Sequence, residues 1–303
     1  MKAPDFLSEM TGLFKGDIKF QEPMSLHTSW RIGGPAEIFV EPRGIEDLKV
    51  LTEYVRRYKL SLTVIGAGTN VLVKDGGISG VVLQMGSGFS DISVEGAIIS
   101  AGGGVRLSRL ASIARDAGLG GFEFLSGIPG TVGGAVVMNA GANGSSVSGL
   151  IRQINCIDFE GNLLSLNSGQ LDWGYRRSGL QGRGKIVVEA VFEGIPRDKD
   201  IISSDMEKYM GSRKASQPLE YPNSGSVFKN PPLCFAGKLI QDAGCRGMRI
   251  GDAQVSEKHA NFIVNLGRAK AGDVLQLIAA VRDRVFDKYC VDLEMEVKVL
   301  GRD

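Results

Sequence analysis

The stretch "LTVIGAGTNVLVKDGG", residues 62–77, decides the fold class. A short apolar run, Leu62 to Ile65, ends on Gly66-Ala67-Gly68-Thr69-Asn70, which opens like a dinucleotide fingerprint. A Rossmann site needs a helix next, because the pyrophosphate sits on that helix's N-terminus. Here the continuation is "VLVKDGG": β-branched, short and stopped by glycines. The Rossmann reading fails on that context. Two readings stay open. One is a tight connection between strands; the other is a nest of successive backbone N–H groups, which binds phosphate through glycine and needs no cation.

A second stretch, "GFEFLSGIPGTVGGAVVMNAGANGSS" (121–146), raises the same question. Ser126 to Gly134 offers several N–H groups with no side chain to block approach. "AVVMNAG" follows, apolar except for one polar tip, Asn139. Such a composition suits a diphosphate cradle beside a flat apolar slot, or equally the close packing of a buried loop. The chain holds 42 glycines in 303 residues, about twice the usual share of roughly 7%. They lie inside apolar segments rather than in a linker. Glycine there costs chain entropy, so these positions mark positive φ or close approach to the backbone.

The rest of the composition narrows the classes. With 43% hydrophobic and 23% charged residues, the chain is long enough for two or three domains and a sizeable core. A net charge of +1 gives no global electrostatic case for nucleic acid or an anionic membrane. A small molecule held locally is the expected partner, and a monomer the expected state. No apolar run approaches the roughly 18 residues of a membrane span. The start, "MKAPDFLSEMTGLFKGDIKF", has no continuous apolar segment or cleavage site, so no signal peptide is expected. Four scattered cysteines and two histidines, His27 and His259, argue against a disulfide framework or a metal site. Reduced thiols in the cytoplasm are expected instead.

The patterning predicts α+β organisation. Residues 1–20 read as a helical lead-in, 36–42 as a strand, 44–58 as an amphipathic helix, and 62–66 and two following runs as strands. A strand over 96–104 and a helix over 105–119 precede the glycine stretch. Beyond it, a β-rich region carries a hairpin turn at Glu160-Gly161-Asn162 and a strand over 185–194. Helices follow from 198, 236 and 273, with strands at 260–267 and 293–301. Composition places divisions near 85 and 195, giving blocks 1–85, 86–195 and 196–303.

Three further segments carry chemistry. "WGYRRSG" (173–179) sets two arginines in a turn, where one can fork onto a carboxylate. "YPNSGSVFKNPP" (221–232) supplies hydroxyls, a cation and an amide on a loop fixed by proline and glycine. Serine without a base is a poor nucleophile but can donate a proton if a neighbour tunes it. In "LEMEVKV", strand period puts Glu294, Glu296 and Lys298 on one face. A solvated face is the ordinary reading of such a pattern, and His259 in "SEKHANF" reads as structural.

These residues also form a constellation. "HTSWRIGGPAE" (27–37), "IGAGTNVLV" (65–73), "LSGIPGTVGGAVVMNAGANG" (125–144), "YRRS" (175–178), "NSGSVFKNP" (223–231), "AGKLIQDAG" (236–244), "HANFIVN" (259–265) and "LEMEV" (293–297) come in one order. Over about residues 24–301 the chain resembles the UDP-N-acetylenolpyruvoylglucosamine reductases of bacterial peptidoglycan precursor synthesis, in their short subgroup. The resemblance implies an FAD-binding fold of the vanillyl-alcohol-oxidase type with a C-terminal α+β substrate domain. It implies NADPH as reductant and UDP-N-acetylglucosamine enolpyruvate as substrate, reduced to UDP-N-acetylmuramate. Ser226 looks like the proton donor; Arg176 and Glu296 look like the pair that polarises the substrate carboxylate. Gly66, Ala67, Gly68, Thr69, Asn70 and Val71, together with Gly127, Pro129, Gly130, Thr131, Gly133, Gly134 and Asn139, are expected around FAD. Lys229, Asn230 and Tyr175 are expected on the substrate. The chain departs from the pattern at Asn143, at His27 and at Asn223-Ser224.

Alternatives are another flavin enzyme on the same fold, a non-catalytic flavin-binding module, and a glycine-rich structural protein. The first would have to lack "GSVFKNP" and "LEMEV", and both are present.

Overall fold

A computed structural model describes Met10 and residues 12–303. Half of the expected lead-in, residues 1–9 and 11, lies outside the described residues. From Asp17 to Pro23 the chain is a strand rather than a helix. Its alternation of half-buried and exposed side chains is the period of a sheet with one face covered.

By packing, the chain forms two compact units. The first holds Ile38–Ala67 and Gly80–Ser212 with the described residues up to Phe20; the second holds Gln21–Glu37, Gly68–Ser79 and Arg213–Asp303. The divisions at 85 and 195 follow composition, whereas the units follow packing and interleave along the chain.

Two larger sheets lie mainly in the first unit, beside two-stranded pairings of Gly141–Ala142 with Ser145–Ser146 and of Leu119–Gly120 with Ile195–Pro196. One has the strand order Asp17–Pro23, Pro35–Glu41, Ile78–Gln84, Leu62–Ile65, and its last pair is parallel, with Leu62 opposite Val81. The other is antiparallel, in the order Leu163–Asn167, Ile151–Asp158, Lys185–Glu193, Ile98–Gly102, Ile92–Glu95. The predicted turn at Glu160-Gly161-Asn162 joins its first two strands. Asp158 closes it by accepting the backbone N–H of Asn162 at 2.8 Å.

The amphipathic helices behave as their patterns require. Leu48, Leu51 and Val55 of the helix Ile45–Arg57 join Val81 and Leu83 of one sheet and Ile157, Ile186 and Val188 of the other in one core. Leu107, Leu110, Ala111 and Ala114 of the helix Leu107–Asp116 pack with Ile99, Ile154 and Phe192 in a second core. Each fully buried Leu or Ile contributes about 1.5–3 kcal/mol through removal from water.

In the second unit, the helix Ala271–Tyr289 lays Val274, Leu277, Ile278, Val281 and Val285 into a core with Val255 and Ile263. Those two residues belong to a small antiparallel sheet of Arg249–Ile250, Ala253–Val255 and Ile263–Asn265. Two segments from the N-terminal half complete this unit. Trp30 is fully buried in it; its indole N–H donates to the Ile263 carbonyl at 2.7 Å, and Asn265 Nδ2 donates to the Trp30 carbonyl at 3.0 Å. Val71–Val73 pairs in parallel with Lys298–Leu300. Asp75 accepts the N–H groups of Ala271 and Gly272 at 3.0 and 3.1 Å, fastening the first turn of the long helix.

The last strand is shorter than expected, Lys298–Leu300 against 293–301. The Val227 carbonyl accepts from both Glu296 N–H, at 2.8 Å, and Val297 N–H, at 3.4 Å. That doubled acceptance breaks the ladder, leaving a single bridge between Phe228 and Met295. Among the described residues no helix is long and apolar enough to cross a membrane.

Candidate functional site

The glycine stretch is less open than its composition suggests. Val132–Met138 forms a two-turn helix, so Gly133 and Gly134 lie in its first turn. Gly133 packs against the strand end at Gly103. Its N–H donates to the Gly103 carbonyl at 2.8 Å, and a Cβ there would stand 3.1 Å from that oxygen. Gly130 has φ +152° and accepts the Leu107 N–H at 3.1 Å.

Thr131 caps this helix and is 3% exposed, yet its Oγ1 has no hydrogen-bond partner. Such an orphaned buried hydroxyl costs about 1–3 kcal/mol. Gly66, at the end of Leu62–Ile65, packs directly on it: a Cβ on Gly66 would collide with Thr131 Oγ1. A buried hydroxyl left without a protein partner, with a glycine packed against it, suits a nucleotide cofactor that supplies acceptor atoms. The residues present therefore fit FAD. A cavity of about 770 Å³ in the first unit is a different space. It is walled by Arg43, Asp47, Cys156 and Glu189 among others and contains no residue of the cradle.

Asn139 ends the helix Val132–Met138 in the left-handed region, at φ +44°. Its Nδ2 donates to the Gly174 carbonyl at 2.8 Å and its Oδ1 accepts the Ser148 N–H at 3.2 Å. What it holds is the turn that carries the two arginines. Gly174 and Arg177 exchange backbone hydrogen bonds of 2.9 and 3.1 Å, with Tyr175 and Arg176 as the loop residues. The arginines differ sharply. Arg177 is exposed and pairs with Asp172 at 3.0 Å. Arg176 is half-buried, sits at φ +56°, lies 5.0 Å from the Tyr175 ring, and reaches the Gly141 carbonyl at 3.4 Å through Nη1.

The second unit brings Ser226 and Glu296 onto adjoining segments. The chain at 226–229 runs between Asn261 on one side and 294–297 on the other. Val227 N–H donates to the Asn261 carbonyl at 2.8 Å, and the Val227 carbonyl accepts from Glu296 N–H at 2.8 Å. Asn261 also grips Phe228 from both ends, at 3.0 and 2.8 Å. The loop Gly68–Val71 belongs to the same cluster. Asn70 Nδ2 donates to the Glu296 carbonyl at 3.2 Å, and Lys298 N–H donates to the Asn70 carbonyl at 3.0 Å. Gly68, at φ +64°, packs so closely on residue 27 that a Cβ would overlap the His27 carbonyl.

The two serines of "NSGS" separate by environment. Ser224 is buried, and its hydroxyl donates to the Thr69 carbonyl at 3.0 Å. Ser226 instead lines a cavity of about 390 Å³ with Asn230, Phe235, Arg246, Lys258 and His259. Of the expected substrate residues, Lys229 pairs with Glu294, and Asn230 Oδ1 accepts the Ala236 N–H at 3.0 Å. His259, read from the sequence as structural, also lines this cavity. Its Nδ1 accepts the Asn261 N–H at 3.2 Å, so the neutral ring carries its proton on Nε2. Burial, then nearby Arg246, pushes its pKa down. The sequence held too few histidines to suggest a triad, and no spacing signalled this cationic wall. Its members, Arg246 and the adjacent Lys258 and His259, come from two separate segments.

The departures also have structural readings. Asn143-Gly144 makes the two-residue turn of a small hairpin, Ala142 opposite Ser145, with φ +53° and +80°. Asn-Gly is the favoured pair there. His27 Nε2 meets Glu22 Oε1 at 2.8 Å. Asn223 folds its own loop, accepting the Gly225 N–H and donating to the Pro218 and Tyr221 carbonyls.

Two family models match the chain. Residues 36–166 match an FAD binding domain, and residues 217–300 match the C-terminal domain of UDP-N-acetylenolpyruvoylglucosamine reductase. A curated UDP-N-acetylenolpyruvoylglucosamine reductase from Desulforamulus reducens is 47% identical over 295 residues, 97% of each chain.

The chain belongs to the UDP-N-acetylenolpyruvoylglucosamine reductase family.

A second reductase of that name, from Heliobacterium modesticaldum, is 47% identical across 97% of this chain and 94% of its own. The crystal structure of UDP-N-acetylenolpyruvylglucosamine reductase from Thermus caldophilus superposes with a TM-score of 0.82 at 34% identity. It covers 95% of this chain and 100% of that one. Alkyldihydroxyacetonephosphate synthase matches 65% of this chain and 41% of its own at 15% identity and TM-score 0.51, a likeness of fold alone. The fold is therefore α+β, an FAD-binding fold of the vanillyl-alcohol-oxidase type with a C-terminal domain particular to the reductase family.

Proposed function

We propose that this chain is an NADPH-dependent flavoenzyme that reduces the enolpyruvyl group of UDP-N-acetylglucosamine enolpyruvate to UDP-N-acetylmuramate. It would do so as a monomer in the bacterial cytoplasm, for peptidoglycan synthesis. The observation that carries the reading is the pairing of 226–229 with 294–297 beside a cationic cavity lined by Ser226. FAD, when bound, supplies the hydride that is taken from NADPH and given to the substrate.

Hydride addition to the methylene carbon leaves negative charge on the neighbouring carbon and its carboxylate. A guanidinium and a carboxyl proton offset such charge best when fixed in advance. Arg176 and Glu296 have those roles in this reading. Ser226 Oγ–H delivers the proton to the carbon that bears the carboxylate. Arg246, Lys258 and the Nε2–H of His259 suit the diphosphate of a UDP-sugar, as donors around one cavity. Thr131 Oγ1 and Gly66 hold the cofactor in this reading, with Gly133, which packs on Gly103, and Gly134 in the helix turn behind them. The other cradle and substrate residues expected from the sequence, Gly127 and Pro129 to Gly130, Gly68 to Val71, and Lys229, Asn230 and Tyr175, keep those roles as part of this proposal.

Anaerobic stopped-flow absorbance at the flavin band tests the reading. NADPH should bleach the band, and UDP-N-acetylglucosamine enolpyruvate should restore it. Ser226→Ala should leave bleaching nearly intact and slow recovery severely, on the order of 10²-fold or more. Bleaching without recovery in the native enzyme removes the substrate assignment. Equal loss of both phases in Ser226→Ala removes the serine's role.

A further inference from the structure

Arg176 occupies the second loop position of a two-residue turn at φ +56°. That position favours Gly or Asn, because a Cβ crowds the following carbonyl in the left-handed region. A long β-carbon side chain persists there only when its surroundings over-determine it, and here they do. Gln181 Nε2 donates to the Arg176 carbonyl at 3.3 Å and to the Val137 carbonyl at 2.6 Å. Gln181 Oε1 accepts the Ser178 N–H at 3.3 Å, while the fully buried Ser178 hydroxyl donates to the same Val137 carbonyl at 2.7 Å. On the other side Asn139 Nδ2 holds the Gly174 carbonyl. The turn is thus stapled at both ends to the C-terminal end of the helix Val132–Met138, whose N-cap is Thr131.

We propose that Gln181 is a positioning residue for Arg176. Its amide fixes the left-handed backbone of that residue, and so the direction of the guanidinium, relative to the helix that begins at the cofactor cradle. Gln181 needs no contact with cofactor or substrate to do this. The proposal rests on the reading of Arg176 as the group facing the substrate carboxylate. The staple acts on the carbonyl of the single strained residue. A glutamate at 181 would keep the acceptor for Ser178 N–H but lose both donors.

The test is a double-mutant cycle on the FAD-loaded full chain, with the two half-reactions read separately by stopped flow. Gln181→Ala should slow flavin reoxidation by the enolpyruvyl substrate about 10- to 100-fold, the scale of a small misplacement. It should leave reduction by NADPH unchanged. Gln181→Glu should behave like the alanine variant. In an Arg176→Ala background, Gln181→Ala should add less than about twofold, since coupled residues are non-additive. Two results overturn the proposal: the same penalty in both backgrounds, or equal slowing of both half-reactions. If Arg176→Ala alone leaves reoxidation unaltered, the reading of Arg176 itself falls, and that result is separate from any effect of Gln181. Should Gln181→Ala not fold, Gln181→Glu carries the same comparison.

Discussion

Asn70 donates through Nδ2 to the backbone carbonyl of Glu296 at 3.2 Å, across 226 residues of sequence. The glycine loop and the C-terminal glutamate are therefore one local structure, closed by the Lys298 N–H on the Asn70 carbonyl. Asn70→Asp exchanges a donor for a carboxylate facing a carbonyl. It should cost about 1–3 kcal/mol in urea unfolding and slow reoxidation by substrate more than reduction by NADPH. Unchanged stability with unchanged kinetics would show that the contact does not form in solution.

Thr131 offers a test in which two readouts move in opposite directions. Thr131→Val removes a buried hydroxyl that has no protein partner. The FAD-free protein should be more stable than the native chain by about 1–3 kcal/mol, the cost of the orphaned hydroxyl. FAD affinity should fall about tenfold, equivalent to roughly 1.4 kcal/mol. Gly66→Ala, which collides with that hydroxyl, should weaken FAD further. Unaltered affinity in both variants, measured by fluorescence titration, would move the cofactor elsewhere.

His259 gives a pH dependence with a definite sign. Burial lowers its pKa in the folded chain below the ordinary value near 6.5. The unfolded chain therefore binds more protons as the pH falls below 6.5. The stability that the neutral ring contributes is present above that pH and is lost as the pH drops towards the folded pKa. The difference in urea midpoint between the native chain and His259→Gln should be constant from pH 7 to 8 and shrink between pH 6.5 and 5. A flat difference would mean that the ring titrates as it does in water.

The thiols should divide in two. Cys234 and Cys290 are exposed and should react rapidly with Ellman's reagent at pH 8. Cys156 and Cys245 are buried. Burial pushes Cys156 up to about 11, against the pull of Lys185, and raises Cys245 against Arg284. Two thiols should thus titrate at once and two only on unfolding. Four fast thiols would contradict the packing around Cys156.

Much of this was legible in the chain itself. Periodicity placed the helices Ile45–Arg57, Leu107–Asp116 and Ala271–Tyr289, because a stripe of buried Leu, Val and Ala is a local property. "VLVKDGG" excluded a Rossmann helix, and Val71–Val73 is indeed a strand. The ordered motifs identified the family, since residue types at fixed positions need no coordinates. Tertiary structure decided the rest. The helix Val132–Met138 was hidden because glycine has little helical preference and only packing on Gly103 rewards the turn. Strand Asp17–Pro23 was read as helix because half-exposed alternation over a few residues is weak. Ser224 and Ser226 are equivalent by composition, and only burial against Thr69 separates them. Arg176 and Arg177 differ because one φ turns positive and the other does not. The joining of Asn70 to Glu296 is a contact between distant segments, and no local pattern encodes the folding of one loop onto the far end of the chain.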